Sequence, residues 1–214
     1  MTGSDDMKRH WFGLVLLIIS MIGTCFAYPY LPDQIGVHWN FRGEPNSFAN
    51  KSYGAFLFPV IMLLFYLMRI LLSKVDPKKN NYQRFGDTYA LIMNGILLFL
   101  FVFQAVHLIT SLGFINPKYV LPEIIGLLLI FIGNFCPKFK PNYFIGIRTP
   151  WTLASEDVWK KKHRFGGKVF VVLGLLMILV PIIPAALQLY YVIIVLLGGL
   201  GAIVFSSYYF FIKI

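Results

Sequence analysis

Long apolar runs separated by short polar segments recur along the 214-residue chain, and they constrain its fold more than any other feature. A helix needs roughly 20 mostly apolar residues to cross about 30 Å of hydrocarbon. Six runs are long enough, and they cover residues 11–28, 54–72, 89–112, 120–136, 169–183 and 187–212. The pattern predicts an all-α fold, a polytopic membrane helix bundle of about six transmembrane helices.

The composition supports this prediction. Hydrophobic residues make up 58% of the chain, charged residues 13%, and the mean hydropathy is +0.72. A soluble domain is about half apolar and about a quarter charged. Lipid must therefore solvate part of this chain. The first run is longer than the apolar core of a signal peptide, which spans about 7–15 residues, so we expect it to be retained as a span.

Two prolines divide the apolar stretch from residue 169 to residue 212, which is too long for a single crossing. Pro181 and Pro184 remove backbone donors and disfavour helix, which suits a tight turn at the membrane surface. Gln188 adds a polar side chain just beyond them. We therefore expect two spans, residues 169–183 and 187–212.

The basic residues indicate the orientation of the bundle. If all six runs cross, sixteen of the nineteen Lys and Arg residues lie on the side of the N-terminus, and Arg42, Lys51 and Lys118 lie on the other. Lys and Arg near span ends are retained in the cytoplasm. We expect both termini to be cytoplasmic. The net charge of +10 then reflects orientation and contact with membrane lipids, and no direct binding of nucleic acid is expected.

Two connecting segments are too long to be simple links. The outer segment, residues 29–53, alternates apolar and polar residues and then has a Gly/Pro/Asn turn, which predicts a structured loop and a possible short hairpin. The inner segment, residues 137–168, predicts a short amphipathic helix beginning at Ser155. We divide the chain into an amino-terminal region, residues 1–73, and a carboxy-terminal region, residues 74–214.

Both segments carry unusual motifs. The outer one contains Pro32-Asp33, His38-Trp39-Asn40 and Gly43-Glu44-Pro45, and the inner one contains Pro141-Asn142-Tyr143-Phe144-Ile145-Gly146-Ile147-Arg148-Thr149-Pro150-Trp151-Thr152-Leu153, then Trp159 and His163-Arg164. At these residues, and over nearly its whole length, the chain resembles the SdpI family of bacterial membrane proteins. Lys162 is a departure, because a small polar residue is usual there in the family.

The resemblance implies a function. It indicates a protein of the bacterial cell membrane that gives resistance to a secreted antimicrobial peptide toxin. It also implies a possible role in signalling, in which the protein reports the toxin by recruiting a cytoplasmic transcriptional repressor. The second role carries over less directly than the first.

Candidate site residues fall into three groups. The candidates for toxin binding in the outer segment are Asp33, His38, Trp39, Asn40, Gly43 and Lys51. The cytoplasmic motif residues are Asn134, Pro141, Asn142, Gly146, Arg148, Thr149, Pro150, Trp151, Trp159, His163 and Arg164. The intramembrane polar residues are Gln104 and His107, which lie three apart and share a helix face.

Several of these residues have two interpretations. Arg148 could fix the inner segment to the bundle, against Asn134 or Asn142, or bind lipid phosphate. The basic run from Lys160 to Arg164 could attract anionic lipid or dock a cytoplasmic partner. Gln104 and His107 could bond neighbouring helices, or serve a proton- or toxin-linked role. A polar path around His107 makes a small transporter or proton-linked channel the alternative function.

No catalytic motif is recognisable in the sequence. It contains no Walker loop, no dinucleotide fingerprint, no His-Glu-x-x-His and no Gly-x-Ser-x-Gly. His38 with Asp33 and Glu44 is a weak metal-ligand set, because one histidine and two scattered carboxylates do not define a site. We therefore expect no enzymatic activity, no catalytic residue, no metal and no cofactor.

Overall fold

The six predicted spans are present as six long helices. The computed structural model describes residues 3–40 and 43–213, with the backbone alone for residues 3–10. Within these ranges there are seven α-helices and one two-stranded sheet: α1 (Gly3–Ala27), β1 (Gln34–Trp39), β2 (Pro45–Asn50), α2 (Lys51–Val75), α3 (Tyr82–Ser111), α4 (Leu121–Phe135), α5 (Pro150–Ala154), α6 (Glu156–Ile178) and α7 (Ala185–Ile212). All except α5 are long and apolar enough to cross a membrane. Arg42 lies outside the described residues.

Proline and polar caps set the helix boundaries close to where the sequence places them. The α6 helix ends at Ile178, a single 3-10 turn follows, and α7 begins directly after Pro184. The Gln188 amide donates to the carbonyls of Val180 and Ile183 at 3.2 and 2.9 Å, which closes this turn. The predicted division of the last apolar stretch into two spans is confirmed.

The predicted hairpin is also present. Strands β1 and β2 pair antiparallel, with Ile35 opposite Ala49. The turn between them contains Gly43 at φ 76°, a left-handed conformation that favours glycine. Ile35 is fully buried and lies against Gly54 at the start of α2, where an added Cβ would approach to 2.9 Å. The hairpin is therefore packed onto the helix bundle.

The sequence predicts a short amphipathic helix beginning at Ser155, but in the structure the residues after Ser155 are the first turns of the long helix α6. The Ser155 hydroxyl accepts a hydrogen bond from the Val158 N–H at 3.4 Å, which is the predicted N-cap. The helix then runs without a break into the fifth span. The short helix of the inner segment is instead α5, five residues long, immediately before it. The basic residues after Ser155 thus belong to the first turns of a transmembrane helix.

Two helix groups make up the bundle. Helices α1, α2 and α3 pack together, and α6 packs against both α4 and α7. Gly95 of α3 lies against the ring of Phe131 of α4, where the two groups meet. The division of the chain at residues 73 and 74 stays a prediction.

We name the two ends of the bundle by what they carry. The hairpin end holds β1, β2 and the α3–α4 and α6–α7 connections. The motif end holds the α2–α3 connection and the segment between α4 and α6.

Candidate functional site

The segment from residue 139 to residue 149, which we call the motif loop, is organised by one buried asparagine. Asn142 is fully buried, and its amide donates to the carbonyls of Lys140 and Ile145, both at 2.9 Å. Its Oδ1 accepts from the N–H groups of Phe144 and Ile145 at 2.9 and 2.6 Å. One side chain thus satisfies four backbone groups in a segment without regular structure. Asn142 shapes the loop.

A buried histidine holds the next part of the motif loop against α6. The Ile147 N–H donates to His163 Nε2 at 3.0 Å, so this nitrogen is unprotonated, and Nδ1 bonds the Trp159 carbonyl at 2.9 Å. The imidazole stacks on Trp159 at 4.1 Å between ring centroids. Gly146, at φ 112°, passes directly over His163, and an added Cβ would overlap Nε2. Glycine is required there for both reasons.

Two threonines close the motif loop and start α5. Thr149 caps α5, and its backbone N–H donates to the Thr152 hydroxyl at 2.8 Å, which completes a capping box. The Thr149 hydroxyl also lies 2.5 Å from that of Ser207 on α7. Trp151 packs against Tyr208, with ring centroids 5.4 Å apart. This end of the motif loop is therefore joined to the last span.

The motif loop is also tied to the α2–α3 connection. Asp76, 1% exposed, accepts from the Tyr143 N–H at 2.9 Å, from the Tyr82 hydroxyl at 3.0 Å and from the Lys78 N–H at 2.7 Å. The Asn81 amide donates to the carbonyl of Pro141 at 2.7 Å. These bonds connect the two helix groups at the motif end.

Arg148 does not contact either asparagine that the sequence suggested. Its guanidinium donates to the Tyr143 carbonyl at 2.6 Å, within the motif loop itself. Asn134 is exposed and donates to the Ile130 carbonyl of its own helix at 2.9 Å. The predicted contacts to Asn134 and Asn142 are wrong, because the loop folds onto α6 and directs the exposed Arg148 side chain back along its own backbone.

At the hairpin end a cleft of about 420 Å³ opens between the hairpin and the α3–α4 connection. It is lined by Pro32, Gln34, Ile35, Gly36, Trp39, Gly43, Pro45, Phe48, Thr110, Ser111, Gly113, Phe114, Ile115, Asn116 and Pro117. At one end of the cleft, Gly43 lies so close to Asn116 that a Cβ added to the glycine would overlap the Asn116 side chain. The volume falls within the range of about 300–1,000 Å³ that is usual for ligand pockets.

The six outer candidates do not form one site. Trp39 and Gly43 line the cleft. The imidazole Nδ1 of His38 lies 2.6 Å from Asn46 Oδ1, and Asn40 donates to the Glu44 carboxylate at 2.9 Å, so both stabilise the hairpin. Lys51 lies over the ring of Tyr28 at 4.8 Å, at the base of the hairpin. Its backbone N–H donates to the Asp33 carbonyl at 2.8 Å.

Across the part of the chain that the structure describes, no group of three or more His, Cys, Asp or Glu side chains could hold a metal ion. His38 and Asp33 make separate contacts, and the carboxylate of Glu44 is engaged by Asn40.

Gln104 and His107 join three helices. The Gln104 amide donates to the Thr24 hydroxyl at 2.8 Å and to the Ala55 carbonyl at 3.1 Å, and His107 Nε2 lies 3.2 Å from the Gly54 carbonyl. Both side chains are 2% exposed. The shared face is confirmed. Their hydrogen bonds to α1 and α2 match the simpler interpretation, that they hold neighbouring helices together.

An apolar layer separates this polar cluster from the next one. Leu16, Leu17, Met62 and Leu97 are buried against one another between the helices. Beyond them Arg69, 1% exposed, donates to Asn94 Oδ1 at 2.5 Å, and the Tyr89 hydroxyl donates to the Arg69 carbonyl. Arg69 is thus inside the bundle rather than on the surface of the motif end.

Comparison with known proteins identifies the family. The chain is 30% identical over 209 residues to the Immunity protein SdpI of Bacillus subtilis (strain 168), an alignment that covers 97% of this chain and 98% of the relative. The chain belongs to the SdpI family. Its residues 138–209 match the model of the SdpI/YfhL protein family, and residues 15–63 match a domain of unknown function (DUF1648). No solved structure matches it.

A second relative aligns over a shorter stretch. The Uncharacterized membrane protein YbgB of Bacillus subtilis (strain 168) is 28% identical over 82 residues, which is 38% of this chain and 80% of the relative. Family membership and the six apolar helices together establish a multi-pass membrane protein.

The match to the SdpI/YfhL model begins at the motif loop and includes the side chains that hold it. Asn142 and His163 form hydrogen bonds with the backbone of the loop, and Gly146 allows that backbone to pass close to His163. All three residues belong to the predicted motif. Asp76 and Asn81, which the sequence analysis missed, bind the same loop from outside the matched range. Nothing local in the sequence signals their role, because their partners lie 60 or more positions away.

The basic run at the start of α6 is not one surface. Lys160, Lys161 and Arg164 are exposed, whereas Lys162 and His163 are fully buried. The Lys162 ammonium donates to the Ser206 hydroxyl of α7 at 2.5 Å. Lys162 and His163 are therefore unavailable to anionic lipid or to a cytoplasmic partner, the two interpretations of the run, because a helix directs only part of such a run away from its neighbours.

Four glycines that the sequence analysis also missed set the spacing of α4 and α6. An added Cβ at Gly126 or Gly133 would lie 2.6 Å from the carbonyl oxygen of Gly174 or Gly167, respectively. The two glycines of each helix are seven positions apart, two helical turns on one face, and this period is a signal that the sequence of this chain does carry.

Proposed function

We propose that this protein is a membrane immunity protein that protects the bacterium carrying it against a secreted antimicrobial peptide toxin. The full-length similarity to the Immunity protein SdpI carries this proposal. The alignment leaves no large part of either chain unmatched, so it includes both the hairpin end and the motif end.

The proposed orientation places both termini and the motif end in the cytoplasm of a bacterial cell. Six crossings leave the two termini on the same side. The distribution of Lys and Arg supports the cytoplasm as that side, because the exposed basic residues Lys160, Lys161 and Arg164 lie at the motif end. The hairpin and the cleft then face the outside, where a secreted peptide arrives.

The proposal includes signalling through the motif loop. The loop is bonded to the α2–α3 connection, to α6 and to α7, so a shift of these helices alters the backbone that it presents to the cytoplasm. The three exposed cations beside it suit a cytoplasmic transcriptional repressor with an acidic surface, and they suit anionic lipid headgroups when no repressor is bound. The motif residues would act by positioning this surface.

A survival assay tests the immunity proposal. The chain is expressed in a Bacillus subtilis strain that lacks its own Immunity protein SdpI, and the cells are exposed to the secreted peptides of a producing strain. We expect survival to rise. The control is a Gly133→Leu variant, in which the α4–α6 contact cannot form, so its expression gives no protection. Equal killing with and without the folded protein contradicts the proposal.

The transporter alternative has less support. The polar cluster around His107 and the cluster around Arg69 are separated by the buried layer of Leu16, Leu17, Met62 and Leu97, so no continuous polar path connects them in this conformation among the residues described. Proton flux into proteoliposomes decides the point. We expect proton flux at the same rate as in protein-free liposomes. Flux above that rate, abolished by His107→Ala, would favour the transporter.

A further inference from the structure

Among the described residues, the lining of the cleft at the hairpin end contains no ionisable side chain. Its fifteen lining residues include no Asp, Glu, Lys, Arg or His, in a chain that carries nineteen basic and nine acidic residues. Asp33 and Glu44, two charged residues of the described part of the hairpin, lie outside the lining. Burial of a charged group in such a cleft costs free energy that no opposite charge repays. The lining therefore selects an uncharged occupant.

Aromatic side chains mark the mouth of the cleft. Phe114 is 77% exposed and Phe48 is 56% exposed, and both lie in segments outside the transmembrane helices. Trp39 lines the cleft as well, with its ring edge-on to the buried His107 at 5.6 Å between centroids. Exposed aromatics around a concavity are typical of recognition sites, because they bury a large area on binding at little entropic cost.

One residue of the lining has a hydroxyl oxygen without a hydrogen-bond partner among the described residues. The Thr110 hydroxyl oxygen is buried, and among the described residues no hydrogen bond to it is found. Buried hydroxyls in folded proteins are almost always bonded. Asn116, at the other side of the cleft, accepts from the Lys118 N–H at 2.9 Å through its Oδ1, and no hydrogen bond from its amide nitrogen is found among the described residues. An amide donor in the lining is suited to a backbone carbonyl of a peptide.

From these observations we propose that the cleft binds an uncharged, apolar segment of a peptide, with Phe48, Phe114 and Trp39 contacting its side chains and the Asn116 amide donating to its backbone. The inference rests on the proposed function, in which that peptide is the secreted toxin. The part of the peptide that enters the cleft is apolar and has no charged residue, even where the rest of the peptide carries charge.

Photocrosslinking to the full chain in lipid nanodiscs tests the cleft. The probe is the synthetic peptide acetyl-Leu-Phe-Leu-Phe-amide carrying a diazirine on one leucine, and the comparison peptide has lysine in place of both leucines except at the diazirine. We expect the neutral probe to label residues 32–48 and 110–117. Labelling spread evenly over the lipid-facing helices, or equal labelling by the charged peptide, overturns the proposal.

Two exposed aromatics provide matched variants. Phe114→Asp places a charge at the mouth of the cleft, whereas Tyr30→Asp changes a side chain of similar exposure, 79% against 77%, at the same end of the bundle. We expect Phe114→Asp to reduce crosslinking about tenfold and Tyr30→Asp to leave it unchanged. Phe48→Asp is a second cleft variant at an exposed site, so that the result does not depend on the folding of one protein.

The survival assay separates the two proposals. If wild-type protein protects and the Phe114→Asp and Phe48→Asp variants protect equally well, the cleft proposal fails and the immunity function stands. If wild-type protein gives no protection, the immunity function fails, and the crosslinking pattern still decides whether the cleft binds neutral peptide.

Discussion

The Asp76 carboxylate accepts a hydrogen bond from the backbone N–H of Tyr143 at 2.9 Å and thereby joins two segments that are 67 residues apart. Asp76 follows α2, and Tyr143 lies in the motif loop between α4 and α5. The same carboxylate holds Tyr82 and Lys78, so one buried acid organises the motif end. This contact links the helix group of α1–α3 to the segment that carries the family motif.

Asp76→Ala removes the acceptor of three hydrogen bonds at a buried position. Hydrogen bonds to a charged group contribute about 1.5–3 kcal/mol each. Because the substitution also removes the cost of burying the carboxylate, we expect a smaller net fall in the free energy of unfolding, of about 3 kcal/mol. Thermal unfolding in detergent measures the loss, and hydrogen exchange of residues 142–144 should accelerate.

Asp157→Ala is the control for this substitution. Asp157 and Lys160 form an exposed pair at 3.5 Å. Exposed ion pairs contribute about 0–1 kcal/mol, so this variant should unfold like the wild type. Unchanged exchange of residues 142–144 in Asp76→Ala would show that the motif loop does not depend on this carboxylate.

Gly133→Ala tests the close contact of α4 with α6. The new methyl group would lie 2.6 Å from the Gly167 carbonyl oxygen, so the helices must separate. Overpacking of this kind costs about 1–3 kcal/mol. Gly198→Ala is the control, because an added Cβ there meets nothing within 4 Å and alanine favours helix. Equal melting temperatures for the two variants would contradict backbone contact between α4 and α6.

Gly146→Ala should destabilise the protein more than Gly113→Ala. Both glycines have positive φ, 112° and 82°, so each substitution carries the backbone cost of about 1–2 kcal/mol. At Gly146 the methyl group also overlaps the imidazole nitrogen that accepts from Ile147, whereas at Gly113 it meets nothing within 4 Å. Faster exchange of the Ile147 N–H in the first variant alone is the expected result. Equal destabilisation by the two substitutions would mean that the positive φ alone accounts for the cost and that the overlap with His163 adds nothing.

Cysteine accessibility tests the proposed orientation. In a Cys25→Ala background the remaining Cys136 is 1% exposed. A membrane-impermeant maleimide added to intact cells should label Tyr30→Cys, at the hairpin end, and leave Lys160→Cys unlabelled until the cells are opened. Labelling of Lys160→Cys alone in intact cells would reverse the orientation.

Local sequence patterns were sufficient for three features. Hydropathy predicted six spans, two prolines predicted the turn before α7, and alternation followed by turn residues predicted the hairpin, because each depends on residues close together in sequence. The same local pattern misjudged the run from Lys160 to Arg164. A list of charges does not say which way each side chain points, and Lys162 and His163 are buried only because α7 and the motif loop lie against that face of α6.

The amino-acid sequence by itself determined that this chain spans a membrane repeatedly, that it belongs to the SdpI family and that its unusual residues cluster in two segments. Only the tertiary structure decided what those residues contact. It placed Asp76 on the motif loop and brought the α3–α4 connection, with Phe114, to the hairpin to form the cleft. The physical reason is that periodicity and charge counts report local preferences, whereas a cleft or a buried hydrogen bond depends on which distant segments the packed helices bring together.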